Sequence, residues 1–425
     1  MKRALARAAY TNLLRLATPL YLARLWWRGR REPGYREAVP ERFGHGHGRA
    51  APSSLWVHAV SLGETHAASA LIDALRAARP GLRVLLTHGT ATGRAAGAAL
   101  LRSGDHQAWL PYDTPGAVRR FLHRHRPGLG VLMETEIWPN LLHEAARAGV
   151  TMVLANARLS ERSAAKGRRL GALLHPAGQK LALALAQTEA DAHRLHAAGV
   201  PRVEVCGNLK YDLRPDPALL ALGREWRSGQ SRAVVVAAST REGEEADLLA
   251  AWAAWPAPRP VLLLVPRHPQ RFDEVAALAT SYGFSVSRRS RWAEPGPGEA
   301  DRVADVWLGD SLGEMPLYYG LSDVGLQGGS FKPLGAHNFI EAAACGCPMV
   351  LGPSVFNFAD AATEALAAGA AWQVANWGEA LQRVSAQLGD TAARQRASRA
   401  AEGFAAMHRG AAARMAARIL ALLPQ

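Results

Sequence analysis

Two short stretches carry carboxylates in settings where carboxylates do proton chemistry. In Ser61-Leu62-Gly63-Glu64-Thr65, an apolar run from Leu55 to Val60 with strand character meets a glycine-containing turn, and Ala67, Ala68, Leu71, Ile72 and Leu75 then recur at helical spacing. A strand, tight turn and helix of this kind leaves the first helical N–H groups unpaired above the sheet, which suits an anion. Glu64 then has two readings. It is a first-turn carboxylate favoured by the helix dipole, or a general base at the carboxyl end of a strand, where open α/β sheets place their ligands. The second stretch is Met133-Glu134-Thr135-Glu136-Ile137-Trp138-Pro139-Asn140, which closes another apolar strand. A helix start with Pro139 near its first position explains it structurally. If Glu134 instead lies beside Glu64, mutual repulsion raises at least one of the two pKa values, a property useful in a base.

Cations and glycines form the complementary set. Lys210 lies in Gly207-Asn208-Leu209-Lys210-Tyr211-Asp212 and is one of only five lysines in a chain that otherwise writes its surface cations as Arg. A lysine there acts as a point charge for a phosphate. Arg158 follows the next strand, with a surface cation as its alternative reading. In the second half, Ser239-Thr240 opens an acidic helix start, and Arg267-His268 is bracketed by Pro266 and Pro269. Gly328-Gly329-Ser330 leads through Gly335 into a helix, a fitting phosphate cradle. It lacks the G-K-[ST] ending of a P-loop, and no GxGxxG follows the first strand, which argues against a P-loop nucleotidase and a common dehydrogenase. No carboxylate or His pair is spaced to complete a metal site around Glu134 and Glu136. Of the three cysteines, only Cys345 and Cys347 are close, with no second pair to complete a zinc site, so all three read as free thiols of a reducing cytoplasm.

These residues need elements to hold them. Strand-like runs at Leu55–Val60, Arg83–Thr87, Leu129–Glu134, Thr151–Ala155, Leu181–Gln187 and Arg202–Cys206 alternate with helical stretches. A second series runs through Ala233–Ala238, Pro260–Val265, Ser285–Ser287, Val303–Leu308, Val324–Gln327 and Met349–Leu351. Such alternation predicts an α/β protein with two doubly wound, Rossmann-like domains in tandem, each a parallel sheet covered on both faces. Residues 32–212 form the first and 218–390 the second, with a linker at 213–217 (Pro215, Pro217) and a helix over 391–425; Glu294 to Gly298 reads as a loop. A length of 425 residues suits two domains, and 49% apolar residues fill two cores.

The balance of 50 Lys+Arg against 36 Asp+Glu, a net charge of +14, favours nucleic acid, anionic lipid or phosphorylated substrates. No aromatic-interleaved basic stripe or zinc motif supports nucleic acid. Residues 1–31 mix Leu13, Leu16, Leu20, Leu25, Trp26 and Trp27 with Arg7, Arg15, Arg24, Arg28, Arg30 and Arg31. Arginines divide this segment too finely for a membrane span. The expectation is an amphipathic helix lying on an anionic membrane; a helix docked on the protein's own surface is the alternative.

Read together, the motifs resemble the 3-deoxy-D-manno-octulosonic acid (Kdo) transferases. The resemblance covers nearly the whole chain: RLWWRGRREPGYREAVPERFG, HAVSLGETHAA, LPYDTP, METEIWPN, NARLSERS, GNLKYD, STREGEE, LVPRHPQRF, GDSLGEMPLYYG and GGSFKPLGAHNFIEAAACGCPMVLGP, in that order. It implies the glycosyltransferase B fold, two Rossmann-like domains facing across a cleft, with a final helix that crosses back. It also implies transfer of Kdo from CMP-Kdo to a lipid A precursor at the cytoplasmic face of the bacterial inner membrane, without a cofactor or metal. By the same resemblance Glu64 matches the catalytic base, and Glu134 and Lys210 match residues that stabilise the transition state. Arg267, His268, Leu312, Gly313, Glu314, Asn338, Phe339, Ile340 and Glu341 match segments that hold the CMP moiety; Gly63, Arg158, Ser239, Thr240, Gly329 and Ser330 are further candidate substrate contacts. Two positions depart from the family pattern. Ala336 stands where Gly is usual and is strained if φ is positive there, and Arg241 stands where His is common.

Overall fold

A computed structural model describes residues 2–46, 55–212, 215–293, 296–407 and 409–424. Residues 213 and 214 of the expected linker, and 294 and 295 of the expected Pro/Gly loop, lie outside the described residues. The chain divides into two compact units, Met1–Asp212 with Arg409–Gln425, and Leu213–His408.

The first unit holds seven parallel strands, β1 (Leu55–His58), β2 (Val84–His88), β3 (His106–Trp109), β4 (Leu129–Met133), β5 (Thr151–Ala157), β6 (Leu183–Ala186) and β7 (Val203–Val205). Their order is β3-β2-β1-β4-β5-β6-β7, which reverses direction between β1 and β4. Side chains alternate between two cores. Leu55, Val57, Val131 and Met133 face the helices Leu62–Ala78 and Ala411–Leu420 through Leu71, Ile72, Leu75, Met415 and Ile419. Trp56, Leu132 and Leu154 face the opposite side, against Phe121, Leu141 and Leu142. Burial on both faces is why these strands read as continuous apolar runs. The edge strand β3, HQAW, lacks such a run, and the sequence pattern does not show it.

The second unit repeats the plan with β8 (Val234–Thr240), β9 (Val261–Pro266), β10 (Val286–Arg288), β11 (Val306–Leu308), β12 (Val324–Gln327), β13 (Met349–Leu351) and β14 (Ala371–Gln373). Its order is β10-β11-β9-β8-β12-β13-β14, with the reversal between β8 and β12. The edge strand β14 is the other one that the sequence pattern does not show.

Both terminal segments differ from the single helices expected. At the N-terminus, Lys2–Leu16 and Thr18–Arg28 are separate helices, the second with a proline in its first turn. They are fastened to the first unit: the Tyr10 hydroxyl donates to Asp113 (3.0 Å), Thr11 to Asn140 (3.2 Å), and Tyr112 to the Leu14 carbonyl (3.1 Å). Leu5, Leu13, Leu16, Leu20, Trp26 and Trp27 nevertheless stay exposed. No helix among the described residues is long and apolar enough to cross a membrane. At the C-terminus, Gly410 at φ +95° separates Thr391–Met407, in the second unit, from Ala411–Leu420, in the first. Asp212 caps that last helix, accepting the Gly410 N–H and the Ala412 N–H (2.5 Å). Arg414 adds bonds to the Cys206 carbonyl at 3.0 and 2.9 Å.

Removal of an N-terminal cap costs about 1 kcal/mol. Asp212→Ala is therefore expected to lower the first unit's stability by about that amount in chemical denaturation, with faster amide exchange across Ala411–Leu420. Unchanged exchange there would show that the apolar contacts alone hold the helix.

Candidate active site

Glu64 and Glu134 follow the strands at the reversal point of the first sheet, and Ser239, Thr240, Gly329 and Ser330 lie at that of the second. Strands β1 and β4 pair in parallel, Leu55 with Leu129 through His58 with Leu132, so the turns that follow them stand side by side. The helix Leu62–Ala78 starts at Ser61, whose hydroxyl accepts the Glu64 N–H. The Glu64 side chain turns back to accept the Val60 N–H (2.8 Å) and the Ser61 hydroxyl (3.1 Å). This is the reciprocal arrangement of a capping box, shifted to the N–H one residue earlier. Glu64 is thus a capping carboxylate in form. Electrostatically it is also more: burial pushes its pKa up to about 7, opposed by the Val60 N–H and reinforced by the charges of Glu134 and Glu136. Gly63 is exposed in the first turn with open space around it.

Glu134 sits just beyond β4 in a left-handed conformation, φ +58°. Its N–H donates to the Ala155 carbonyl (2.9 Å), and its carbonyl accepts the Arg158 N–H (3.4 Å). Glu136 takes the Trp138 indole N–H at 2.6 Å, and burial raises its pKa. Lys210 occupies a 3₁₀ turn, Leu209–Tyr211, capped by Asn208. Burial lowers the Lys210 pKa, Glu134 opposes this, Arg158 adds to it, and Glu64 opposes it as well. Glu64, Glu134, Arg158 and Lys210 therefore lie within electrostatic reach of one another. A carboxylate poised near neutrality beside an ammonium can remove a hydroxyl proton while a second charge meets a developing anion.

In the second unit, the sheet reverses between β8 and β12. Ser239 has φ +58° and the pairing of β8 with β9 is irregular between Ala238 and Thr240. The Thr240 carbonyl accepts the Arg267 N–H at 3.0 Å, while the Thr240 hydroxyl is buried without a hydrogen-bond partner. Arg267 and His268 are exposed beyond β9. The His337 pKa is pushed down to about 4 by burial first and then by Arg267, Arg241 and His268. That of His268 is lowered by burial and by Arg241, Arg267 and Arg271. Arg241 and Arg267 thus set a positive field, one that gathers anions, over His268 and His337, whose own protonation it disfavours. Glu341, its pKa raised by burial, interacts with Arg267 from the neighbouring turn.

Other expected contacts have different duties. Ser330 is fully buried, its hydroxyl donating to the Gln327 carbonyl and accepting the Gly352 N–H (2.7 Å), so it braces the loop from within. Phe339 and Ile340 are core residues, each 1% exposed, and Asn338 accepts the Ile340 N–H at 3.2 Å. Leu312 and Gly313 are exposed beyond β11, Gly313 at φ +81°, and Glu314 pairs with Arg289 at 2.8 Å. Ala336 does adopt a positive φ, +64°, so its methyl group is strained where glycine is usual. Among the described residues no group of three or more His, Cys, Asp or Glu is placed to hold a metal ion.

Sequence reasoning passed over Glu244. This fully buried carboxylate accepts three backbone N–H groups: Gly329 (2.7 Å), Arg241 (2.9 Å) and Phe331 (3.1 Å). It ties the loop after β8 to the loop after β12 and so shapes the glycine cradle. An acidic residue held at a helix start inside the STREGEE motif was the signal available.

Two parallel-sheet α/β units in tandem resemble the fold of glycosyltransferase B proteins. A crystal structure of Anabaena Alr3699/HepE in complex with UDP aligns with a TM-score of 0.58 at 16% identity, over 86% of this chain and 99% of that one, a likeness of fold alone. The profile described as 3-Deoxy-D-manno-octulosonic-acid transferase (kdotransferase) matches residues 37–213. The 3-deoxy-D-manno-octulosonic acid transferase of Bordetella pertussis is 48% identical over 424 residues, covering 96% of this chain and 98% of its own. That of Haemophilus influenzae is 35% identical over 421 residues, covering 96% of this chain and 97% of its own. The chain belongs to the Kdo transferase family and is a glycosyltransferase.

Glutamine at position 136 keeps an acceptor for Trp138 and removes a charge that raises the Glu64 pKa. In Glu136→Gln the Glu64 carboxyl, followed by ¹³C NMR, is expected to titrate lower than in the wild-type protein, yet still above the ordinary 4.5, because burial is the larger cause. An unmoved titration would show that the two carboxylates do not interact.

Proposed function

We propose that the chain transfers Kdo from CMP-Kdo to the lipid A precursor, a tetraacyl disaccharide bisphosphate (lipid IVA), releasing CMP. This step belongs to lipopolysaccharide biosynthesis at the cytoplasmic face of the bacterial inner membrane. Family membership supports the transferred sugar, and the elevated pKa of Glu64 beside Glu134 and Lys210 is the observation that carries the mechanism.

The acceptor hydroxyl attacks the anomeric carbon of CMP-Kdo in a single displacement with inversion. Glu64 takes the hydroxyl proton as the new bond forms, and its raised pKa matches a base working near neutrality. Glu134 favours the positive charge that develops on the sugar ring. The departing phosphate of CMP is met by Lys210 or Arg267, so cationic side chains serve where other enzymes use a metal. The donor's nucleotide is assigned to the positive field of Arg241 and Arg267, with His268 and His337 beside them, and to the loop braced by Glu244. The exposed Leu16, Leu20, Trp26 and Trp27, interspersed with arginines, support an N-terminal segment that lies on an anionic membrane where the acceptor resides.

Purified protein with CMP-Kdo and lipid IVA should release CMP, with the rate rising as pH climbs through about 7, since the base must be deprotonated. Glu64→Gln should lower kcat about 10²- to 10⁴-fold at unchanged Tm. Absence of CMP release by the wild-type protein, or full activity in Glu64→Gln, overturns the assignment. Replacing Leu16, Leu20, Trp26 and Trp27 with Ser should weaken binding to vesicles containing anionic lipid; undiminished binding counts against the membrane role.

A further inference from the structure

We infer that Asn156 is the positioning residue that fixes the turn carrying Lys210 against the end of the strand that holds Glu134. This deepens the proposed function, because it rests on Lys210 taking part in the transfer.

Strand β5 ends irregularly: its pairing with β6 shifts register between Leu154 and Ala157. Within that break Asn156 adopts φ +51°, a left-handed conformation that asparagine tolerates better than most residues with a side chain. It is fully buried. The bulge turns its carboxamide toward the turn after β7, and Oδ1 accepts the Leu209 N–H at 3.0 Å across 53 residues of sequence. The Asn156 backbone is held too, its carbonyl accepting Gln187 Nε2 at 2.9 Å. The residues that flank it hold Glu134. The Ala155 carbonyl accepts the Glu134 N–H at 2.9 Å, and the Arg158 N–H donates to the Glu134 carbonyl at 3.4 Å.

The segment from 155 to 158 thus grips the backbone of Glu134 with a pair of hydrogen bonds and the backbone of the Lys210 turn with a third. The carboxylate and the ammonium come from elements more than seventy residues apart in sequence, and one buried amide, that of Asn156, links the turn of the second to the strand end beside the first. The second turn bond, from the Lys210 N–H to Asn208 Oδ1 at 3.0 Å, is internal to the turn and does not anchor it to the sheet. Loss of Asn156 Oδ1 leaves the Leu209 N–H buried without that acceptor, a state the turn escapes by moving toward water. Alanine at 156 would add left-handed strain to that loss, so glycine is the cleaner substitution because it keeps the backbone conformation.

The test uses Asn156→Gly in the full chain with ¹³Cε-labelled lysine. Only five lysines are present, so the Lys210 resonance is separable from the other four. Glu64, Glu134 and Arg158 are the charged groups facing it. In the wild-type protein Lys210 should titrate below the ordinary lysine value, as its burial dictates; in Asn156→Gly its titration should rise toward that value. Val153→Ala, a core truncation in the same strand, controls for general loss of stability and should leave the Lys210 titration in place. With CMP-Kdo and lipid IVA, Asn156→Gly should lower kcat by up to about 10²- to 10³-fold, the cost of losing a charge-stabilising group outright, with KM for CMP-Kdo little changed. Asn156→Asp, which keeps the acceptor oxygen, should retain most of kcat. An unchanged Lys210 titration in Asn156→Gly, or an equal change in Val153→Ala, overturns the inference. Failure of the wild-type protein to release CMP would instead overturn the proposed function, while the titration would still decide whether Asn156 places Lys210.

Discussion

The first unit's site depends on one pairing. Strands β1 and β4 are separated by more than seventy residues, yet they lie side by side in parallel register at the point where the sheet reverses. Parallel strands end on the same side, so the turns that leave them must meet, and the helices that follow must diverge to opposite faces to cover the two cores. Glu64 leaves β1 and Glu134 leaves β4. Their repulsion is therefore a product of topology, and burial by the surrounding helices magnifies it. The same logic places Ser239 and Thr240 beside Gly328 and Gly329 in the second unit, where β8 pairs with β12.

Glu64 shows how a capping role and a raised pKa share one side chain. Its bonds to the Val60 N–H and the Ser61 hydroxyl fix its rotamer and satisfy groups that a helix start leaves open. Those bonds favour the charged form, but they are outweighed by burial and by Glu134 and Glu136, which leave the pKa near 7. A cap facing water would keep its ordinary acidity. The capping bonds and the raised pKa go together, because the cap is what holds the carboxylate in its buried position.

Much of this is legible in the sequence. The central strands show as apolar runs because both faces are buried: LWVH, LGVLM and VVVAA each fill two cores at once. The strands β3 and β14 do not show, because an edge strand needs only part of its surface covered and HQAW or AWQ carries no periodic signal over three or four residues. Glu64, Glu134 and Lys210 announce themselves through residue type and position after a strand. Asn156 and Glu244 do not. Asn156 bonds a backbone group 53 residues away, and two of the three that Glu244 accepts lie 85 or more away, and no local pattern encodes a partner at that distance.

Backbone conformation gives an account of the sites that is independent of family likeness. Six residues other than glycine have positive φ: Ala38, Arg126, Glu134, Asn156, Ser239 and Ala336, counted among the described residues. The last four all lie at or beyond the carboxyl ends of strands in the two sheets, among the loops that carry the candidate residues. A left-handed residue with a side chain costs on the order of 1–3 kcal/mol, so it persists only where surrounding bonds over-determine it. Those bonds are present. Glu134 is held by Ala155 and Arg158, Asn156 by Gln187 and Leu209, and Ala336 by the Gly329 carbonyl at 2.7 Å. Stability alone gives no reason to gather strain at one end of each sheet. Ligand binding does, because open α/β sheets take their ligands beyond the carboxyl ends of their strands, where each of these bends turns a loop off the strand axis.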